Sequence, residues 1–212
     1  RVLARGHGAW VRARLGGGLL TAALFSPRTR DEIVTDTTVG GRATFQNAGR
    51  TRRNGFELAW QHETENHWRT QLAYTWLDAT YRDAFCSPSP CAAGNTVAAG
   101  NRIPGIARQS LFASLGWVPP EGWRAGVEMR ALGRIQANDL NSASAPGYAV
   151  AAAYAGYLKK WERWELNAFA RLDNLFDRRY AGSVIVNDGN ARYFEPAPGR
   201  NWTVGMSGSY RF

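Results

Sequence analysis

Apolar and polar side chains alternate with a period of two along most of this chain. In the last segment, Trp202, Val204, Met206, Gly208, Tyr210 and Phe212 share one face, and Thr203, Gly205, Ser207, Ser209 and Arg211 share the other. The same alternation runs from Trp68 to Leu77, from Trp123 to Leu132 and from Trp164 to Asp173. Across these segments the apolar face carries no charge. The opposite face carries Arg69, Arg124, Glu128, Arg130, Glu165, Arg171, Asp173 and Arg211. A helix would repeat its apolar positions every three or four residues, so this pattern predicts strands. Weaker alternation marks strands at Phe56, Leu58 and Trp60, at Leu111, Ala113, Leu115 and Trp117, and at Tyr148, Val150, Ala152 and Tyr154. With Leu19 to about Thr29, the chain reads as about eight strands, and a stub from Trp10 to Leu15 reads as the end of a ninth.

The connections alternate strictly between short and long. Short turns fall at 16–18, 63–67, 119–122 and 159–163, and long ones at 30–44, 80–107, 137–147 and 181–199. In an antiparallel up-and-down meander this puts every short turn at one end and every long loop at the other. A lipocalin-like barrel would also alternate, with its apolar face inward. One-sided loop lengths instead fit an outer-membrane barrel, with short periplasmic turns and long exterior loops. Trp68, Trp123 and Trp164 each follow a short turn, at one implied height, as rings of an interfacial girdle would. A charge on the lipid face near the midplane costs about 2–4 kcal/mol, so a charge-free face is what a bilayer demands. The expected fold is all-β, an antiparallel up-and-down transmembrane β-barrel. Loops 80–107 and 181–199 are expected outside the cell, and turns 63–67 and 119–122 in the periplasm.

Charge changes the picture little. Lys+Arg number 26 against 17 Asp+Glu, a formal net charge of +9, and only Lys159 and Lys160 are not Arg. The arginines are scattered, and their densest groups (Arg50, Arg52, Arg53; Arg178, Arg179) lie beside turn signals. That reads as solvated or lumen-facing charge and not as a nucleic-acid surface, so no nucleic-acid partner is expected. An aromatic content of 12% excludes a disordered chain. The longest nearly uncharged stretch, 142–158, is rich in Ala, Ser and Gly, contains Pro146, and falls short of a transmembrane helix. Arg1, Arg5, Arg12 and Arg14 ahead of the apolar run Leu19–Phe25 imitate a signal peptide. No small-residue cleavage site follows, and Gly16, Gly17 and Gly18 predict a turn leading into a strand.

Catalytic chemistry finds no footing, and no enzyme is expected. His62 and His67 flank a short turn with Glu63 and Glu65 between them, which reads as a solvated turn before it reads as a zinc site. No serine sits in a nucleophile elbow, and no histidine lies near Ser207 or Ser209, which speaks against an outer-membrane hydrolase. The glycine runs lack a phosphate-loop lysine. No metal and no cofactor is implied. Cys86 and Cys91 lie in the longest loop, where an oxidising exterior suits a small local disulfide. Two thiols without nearby histidine make an incomplete metal site.

The C-terminal third carries a resemblance. Asn174 Leu175 Phe176 Asp177 with Tyr180 behind it, then Pro198 Gly199 Arg200 before a last strand ending in Phe212, resembles the end of a TonB-dependent outer-membrane receptor of the siderophore and iron uptake type. Upstream, Asn54 Gly55 Phe56 Glu57 Leu58 is similar to a strand of that family, and Gly100 Asn101 Arg102 Ile103 Pro104 Gly105 Ile106 to a loop exit. The resemblance covers roughly Leu19 to Phe212. It implies that residues 1–212 are the C-terminal part of a 22-stranded barrel domain, without the plug and without the segment that engages the TonB complex. The implied activity is energised uptake of a ferric siderophore or similar nutrient across the outer membrane of a Gram-negative bacterium. The implied partners are the outer-membrane lipid bilayer, the ferric siderophore, the TonB complex through the N-terminal region, and the barrel-assembly machinery, for which Tyr210 and Phe212 form the insertion signal. Arg102, Arg192 and Tyr193 are the loop candidates for meeting an anionic chelate. The rival reading is a self-contained small outer-membrane barrel with a structural or adhesive role.

Overall fold

The computed structural model describes residues 2–212. Arg1, the first of the basic N-terminal residues, lies outside the described residues. In chain order the first strands are β1 (Leu3–Leu15), β2 (Gly18–Arg30), β3 (Ile33–Val39), β4 (Arg42–Asn47), β5 (Thr51–Glu63) and β6 (Trp68–Tyr81). Next come β7 (Phe85–Cys86), β8 (Thr96–Val97), β9 (Gln109–Trp117), β10 (Gly122–Leu132), β11 (Ile135–Gln136) and β12 (Ser144–Ala145). The last are β13 (Tyr148–Lys160), β14 (Trp164–Asp173), β15 (Ala181–Val184), β16 (Phe194–Pro196) and β17 (Asn201–Tyr210). Nine of them form one antiparallel sheet in the order β1-β2-β5-β6-β9-β10-β13-β14-β17. Every neighbour in that sheet is also the next long strand in sequence, which is the expected meander.

The sheet has one strand more than the eight clear ones in the sequence. The stub is the lower half of β1, a full 13-residue strand. Its upper half was hidden because Arg5 and His7 stand on the same face as Leu3 and Ala9, which breaks the alternation. The long connections are not plain loops either. Each holds a small hairpin: β3–β4, β7–β8, β11–β12 and β15–β16.

Register assigns the faces. Trp68, Leu72 and Trp76 of β6 stand beside Trp117, Ala113 and Gln109 of β9. Trp123 pairs with Tyr157, and Trp164 with Tyr210. From Ala9 on β1 to Trp202 on β17, the outward band defined by these rows contains no Asp, Glu, Lys or Arg. Trp68 to Trp76 spans about 26 Å of strand, or about 20 Å of height at a tilt of roughly 40°. That is close to the roughly 25 Å apolar band of outer-membrane barrels.

One strand carries its large side chains on the other face. Tyr148, Val150, Ala152 and Tyr154 point inward beside Arg130 and Glu128, and the outward positions of β13 are Ala149, Ala151, Ala153, Ala155 and then Tyr157. β13 is apolar on both faces, so alternation alone could not say which face meets lipid. The inward rings have a packing partner. A Cβ on Gly126 would meet the Tyr154 ring at 2.5 Å, and one on Gly116 its hydroxyl at the same distance. Phe169 covers Gly205 and Phe25 covers Gly55 in the same way. Aromatic rings laid over strand glycines fill the hollow that a missing side chain leaves, and hold the inner surface of a curved sheet together.

Candidate functional site

The inner face and the long-loop end together make the candidate site. Along the inner wall, Arg171 bridges Glu128 at 2.8 Å and Asp173 at 2.9 Å, and Arg130 lies over the Phe112 ring at 5.8 Å. Above them, Tyr148 and Tyr180 pack with ring centroids 4.1 Å apart. A hollow of about 300 Å³ opens between Arg130, Tyr148, Arg171, Asn174 and Tyr180. It offers aromatic faces, paired charge and amide groups, which suits a polar solute passing along a wall.

Over this wall the long connections fold into a roof with its own core. Ala48, Ala79, Tyr81, Val97 and Ile103 are buried together, with Val34, Leu77, Phe85 and Leu140 against them. At its centre sits Asp139, only 1% exposed. Its carboxylate accepts hydrogen bonds from Tyr81 Oη (2.6 Å), Ser87 Oγ (2.9 Å) and Asn187 Nδ2 (2.7 Å). Asn187 also donates to the Thr35 carbonyl at 2.7 Å and accepts from the Asp139 amide at 3.1 Å. Four connections are therefore tied to one buried carboxylate. A buried carboxylate is tolerated when its oxygens are hydrogen-bonded, and here both are, Oδ1 by Tyr81 and Oδ2 by Ser87 and Asn187.

A second tie holds the β2–β3 corner. Glu32 pairs with Arg53 at 2.8 Å and accepts from Thr51 Oγ1 at 3.1 Å. Burial works against its charge, but Arg53, by hydrogen bond and by charge, and Thr29 and Thr51 outweigh it and hold the carboxyl below its usual range. Outside, Arg50 clasps Asp83 through Nε and Nη2, and its hydrogen bonds hold that carboxyl low as well.

The residues singled out by motif serve as fasteners. Asn174 adopts a left-handed backbone (φ 49°), accepts from the Arg178 amide and donates to the Arg178 and Pro198 carbonyls. Asp177 Oδ1 accepts from the Arg200 amide at 2.8 Å. Asn101 donates to the Asp139 carbonyl, and the Arg102 backbone is held by the Asn141 side chain from both sides.

The three ligand candidates are not brought together. Tyr193 is half-buried in the roof, its hydroxyl accepting from Asn138 Nδ2 at 3.4 Å. Arg192 is exposed, with its amide donating to Asp188 at 3.0 Å. Arg102 bridges Thr80 on the sheet rim, and burial and the charge of Arg108 press its guanidinium pKa down while Asp78 opposes them. Cys86 and Cys91 are disulfide-bonded, with Cα atoms 5.1 Å apart. Tyr210 packs on Trp164 at 4.9 Å and against the edge of Phe212 at 5.3 Å. His62 stacks on Trp60 beneath Gly17. Among the described residues no three His, Cys, Asp or Glu side chains gather as a metal site. What sequence reasoning missed is the Asp139–Asn187 centre. Its members lie in separate loops, and only the Asn and Asp content of those loops hinted at it.

Comparison with known proteins supports the same architecture. The family model described as TonB dependent receptor-like, beta-barrel, matches residues 10–175. A probable TonB-dependent siderophore receptor PiuA of Acinetobacter baumannii is 25% identical over 197 residues, which is 90% of this chain and 24% of that protein. The crystal structure of the siderophore receptor PiuA from Acinetobacter baumannii superposes with a TM-score of 0.73 at 21% identity, covering 97% of this chain and 28% of that one. The ferric citrate transporter FecA in its unliganded form superposes with a TM-score of 0.75 at 18% identity, covering 99% of this chain and 31% of that one. The chain thus spans about a quarter of the curated relative's length. With the family model covering most of its strands, the chain belongs to the TonB-dependent receptor β-barrel family of the Gram-negative outer membrane.

Proposed function

We propose that residues 1–212 form the C-terminal part of the barrel domain of an outer-membrane receptor and transporter, and take part in energised uptake of a ferric siderophore or similar nutrient. The observation that carries this reading is the polar inner wall of Glu128, Arg130 and Arg171 beneath a roof of interlocked loops, on a barrel of this family. The wall supplies part of the path, and the roof part of the ligand vestibule. Arg192 and Tyr193, on the same roof, are the residues offered to an anionic chelate. Energy coupling to the TonB complex runs through an N-terminal region beyond this segment. Tyr210 and Phe212 serve the barrel-assembly machinery. The chain carries no catalytic role.

The test is uptake of radiolabelled ferric siderophores by cells lacking their own receptors and expressing the complete barrel that contains this segment. Uptake should require the proton-motive force. Arg192→Ala combined with Tyr193→Ala should raise the half-saturating concentration about tenfold, the loss of roughly one charged hydrogen bond. Uptake that continues unchanged in de-energised cells would refute the transport reading.

A further inference from the structure

We propose that the ring closed by Cys86 and Cys91 is a thiol-sensitive latch on the roof: its reduction frees residues 85–97 as a flap and loosens the vestibule, while the rest of the roof stays shut. The latch adds regulation to the transport reading, and rests on that reading only for its effect on uptake. The flap has little of its own to hold it. Strands β7 and β8 pair at two positions, Phe85 with Val97 and Cys86 with Thr96, around the loop 87–95. So small a hairpin is marginal by itself in water. Inside the loop, Asn95 Nδ2 donates to the Pro88 carbonyl at 2.6 Å and to the Pro90 carbonyl at 3.0 Å, and its Oδ1 accepts from the Ala92 amide at 2.9 Å. These bonds shape the flap and join it to nothing else.

Among the described residues, two hydrogen bonds reach from the ring to the rest of the roof. Ser87 Oγ donates to Asp139 at 2.9 Å, and the Ser89 amide donates to Asp36 Oδ1 at 2.8 Å. Both donors lie between the two cysteines, so the disulfide sets the spacing at which they meet acceptors on two different connections. Asp36 is itself placed for this contact. The β3–β4 register shifts between Thr35 and Thr38, and the irregularity holds Asp36, as a bulge re-aims a side chain. Phe85, at the root of the flap, packs edge-on against Tyr81 with ring centroids 4.8 Å apart. The other seam of the roof does not pass through the ring. There the Thr38 amide donates to the Asn187 carbonyl, the Gly189 amide to the Thr38 carbonyl, and Asn187 Nδ2 to the Thr35 carbonyl. Opening the ring therefore frees one flap, whereas loss of Asp139 frees the whole roof.

Exposure and ring size make this bond a switch and not a staple of the fold. Cys91 is exposed and Cys86 half-buried, so a thiol from outside reaches the Cys91 sulfur first. A low-molecular-weight thiolate attacks Cys91 Sγ, the S–S bond breaks, and Cys86 leaves as a thiolate that takes up a proton. A second thiolate attacks the mixed disulfide and releases Cys91, which is protonated in turn. Two electrons and two protons pass to the protein, and the two external thiols depart as one disulfide. The cysteines are 5 apart in sequence, and closure entropy grows with loop length, so this bond adds little to the barrel as a whole. Its effect falls on the flap it closes. Exposed disulfides are the labile ones. The latch is therefore shut in an oxidising exterior and open in thiol-rich surroundings.

The test uses the complete barrel containing this segment, folded and oxidised, then treated with millimolar reduced glutathione and followed by hydrogen exchange. Reduction should leave two cysteines open to alkylation. Amide exchange across 85–97 should rise about tenfold, while the Thr38, Asn187 and Gly189 amides and strands β5 and β6 keep their protection. The Cys86→Ser, Cys91→Ser double variant should show the fast flap with and without thiol. If it does not reach the membrane, wild type reduced after folding and alkylated takes its place. Asp36→Ala with the disulfide intact should speed exchange severalfold in the ring alone. In cells lacking their own receptors, glutathione should raise severalfold the half-saturating concentration of a radiolabelled ferric siderophore that the oxidised receptor takes up, and should leave the double variant unchanged. Equal flap exchange in both redox states, or cysteines that resist the thiol, would overturn the proposal. Faster exchange along the 35–38 and 186–189 seam as well would overturn it in favour of a general staple, and a responsive flap with unchanged uptake would overturn its regulatory part. An oxidised receptor that takes up no ferric siderophore would sink the transport reading instead, and the exchange result would still decide the latch.

Discussion

Tyr81 donates a 2.6 Å hydrogen bond to Asp139 across 58 residues of sequence, and so fastens the end of a barrel strand to a loop that begins two barrel strands later. Ser87 and Asn187 meet the same carboxylate from two further connections. The roof therefore closes on one residue. Removing it leaves two hydroxyls and one of the two side-chain N–H donors of Asn187 buried without an acceptor, at about 1–3 kcal/mol each. Asp139→Ala should release the roof as a unit, raising protease cleavage and amide exchange in 82–108 and 181–199, with the strand amides of β5 and β6 still protected. Exchange confined to the 137–147 loop would show that the carboxylate does not hold the others.

The Glu32–Arg53 tie gives the roof a pH dependence whose sign follows from the shift. Glu32 titrates below its usual range in the folded protein, so the folded state favours the carboxylate. The stabilisation is present above the unfolded value and is lost as pH falls through the lower, folded value. Exchange in the β3–β4 hairpin (33–47) should be slow at neutral pH and should accelerate as pH falls below about 4, after correction for intrinsic rates. Glu32→Gln should show the faster exchange already at neutral pH and lose the acid step. A wild-type acid step that survives in the Gln variant would assign it to another group.

The strands were legible because bilayer and lumen impose opposite chemistries on alternate residues. Trp68, Leu72, Arg69 and Gln71 announce their faces without help. Two places resisted for physical reasons. β13 is apolar on both sides, since Tyr154 must cover Gly116 and Gly126 from within while Ala151 and Ala153 face outward. Upper β1 leaves the hydrocarbon, so Arg5 and His7 obey the water and headgroup region and not the band. The roof was not legible at all. Asp139 and Asn187 meet through loop folding, and no period in sequence encodes a contact of that kind.

The ring-over-glycine contacts make a prediction that surface exposure alone would not. Gly205 lies on β17 and is partly covered by Phe169, whose ring would meet an added Cβ at 2.5 Å. Gly205→Val must displace that ring, at about 1–3 kcal/mol for overpacking. Phe169→Ala should relieve the clash, so the double variant should be more stable than Gly205→Val alone. Heat-modifiable gel migration of the folded barrel measures the order. Additive losses in the double variant would show that the two side chains do not share one space.

The chain terminus separates anchoring from recognition. Tyr210 pairs with Trp164 across the last two strands, receives a 3.3 Å hydrogen bond from Arg163, and meets Phe212 edge-on. These partners already hold Tyr210 at the girdle, alongside Trp68, Trp123 and Tyr157. One further exposed ring at that interface adds little to the stability of the finished barrel, at most about 1–2 kcal/mol for partial burial in the headgroup zone. If Phe212 acts only as an anchor, deleting it should lower the melting point slightly and leave the amount of receptor in the membrane unchanged. If Phe212 and Tyr210 form a signal for the barrel-assembly machinery, the deletion should act before the fold exists. Outer-membrane levels of the complete receptor should then drop well below half of wild type, with unfolded chain accumulating in the periplasm, while the molecules that do insert melt within a few degrees of wild type. Pulse-labelled insertion kinetics distinguish the two. Insertion at the wild-type rate without Phe212 would leave it as an anchor and nothing more.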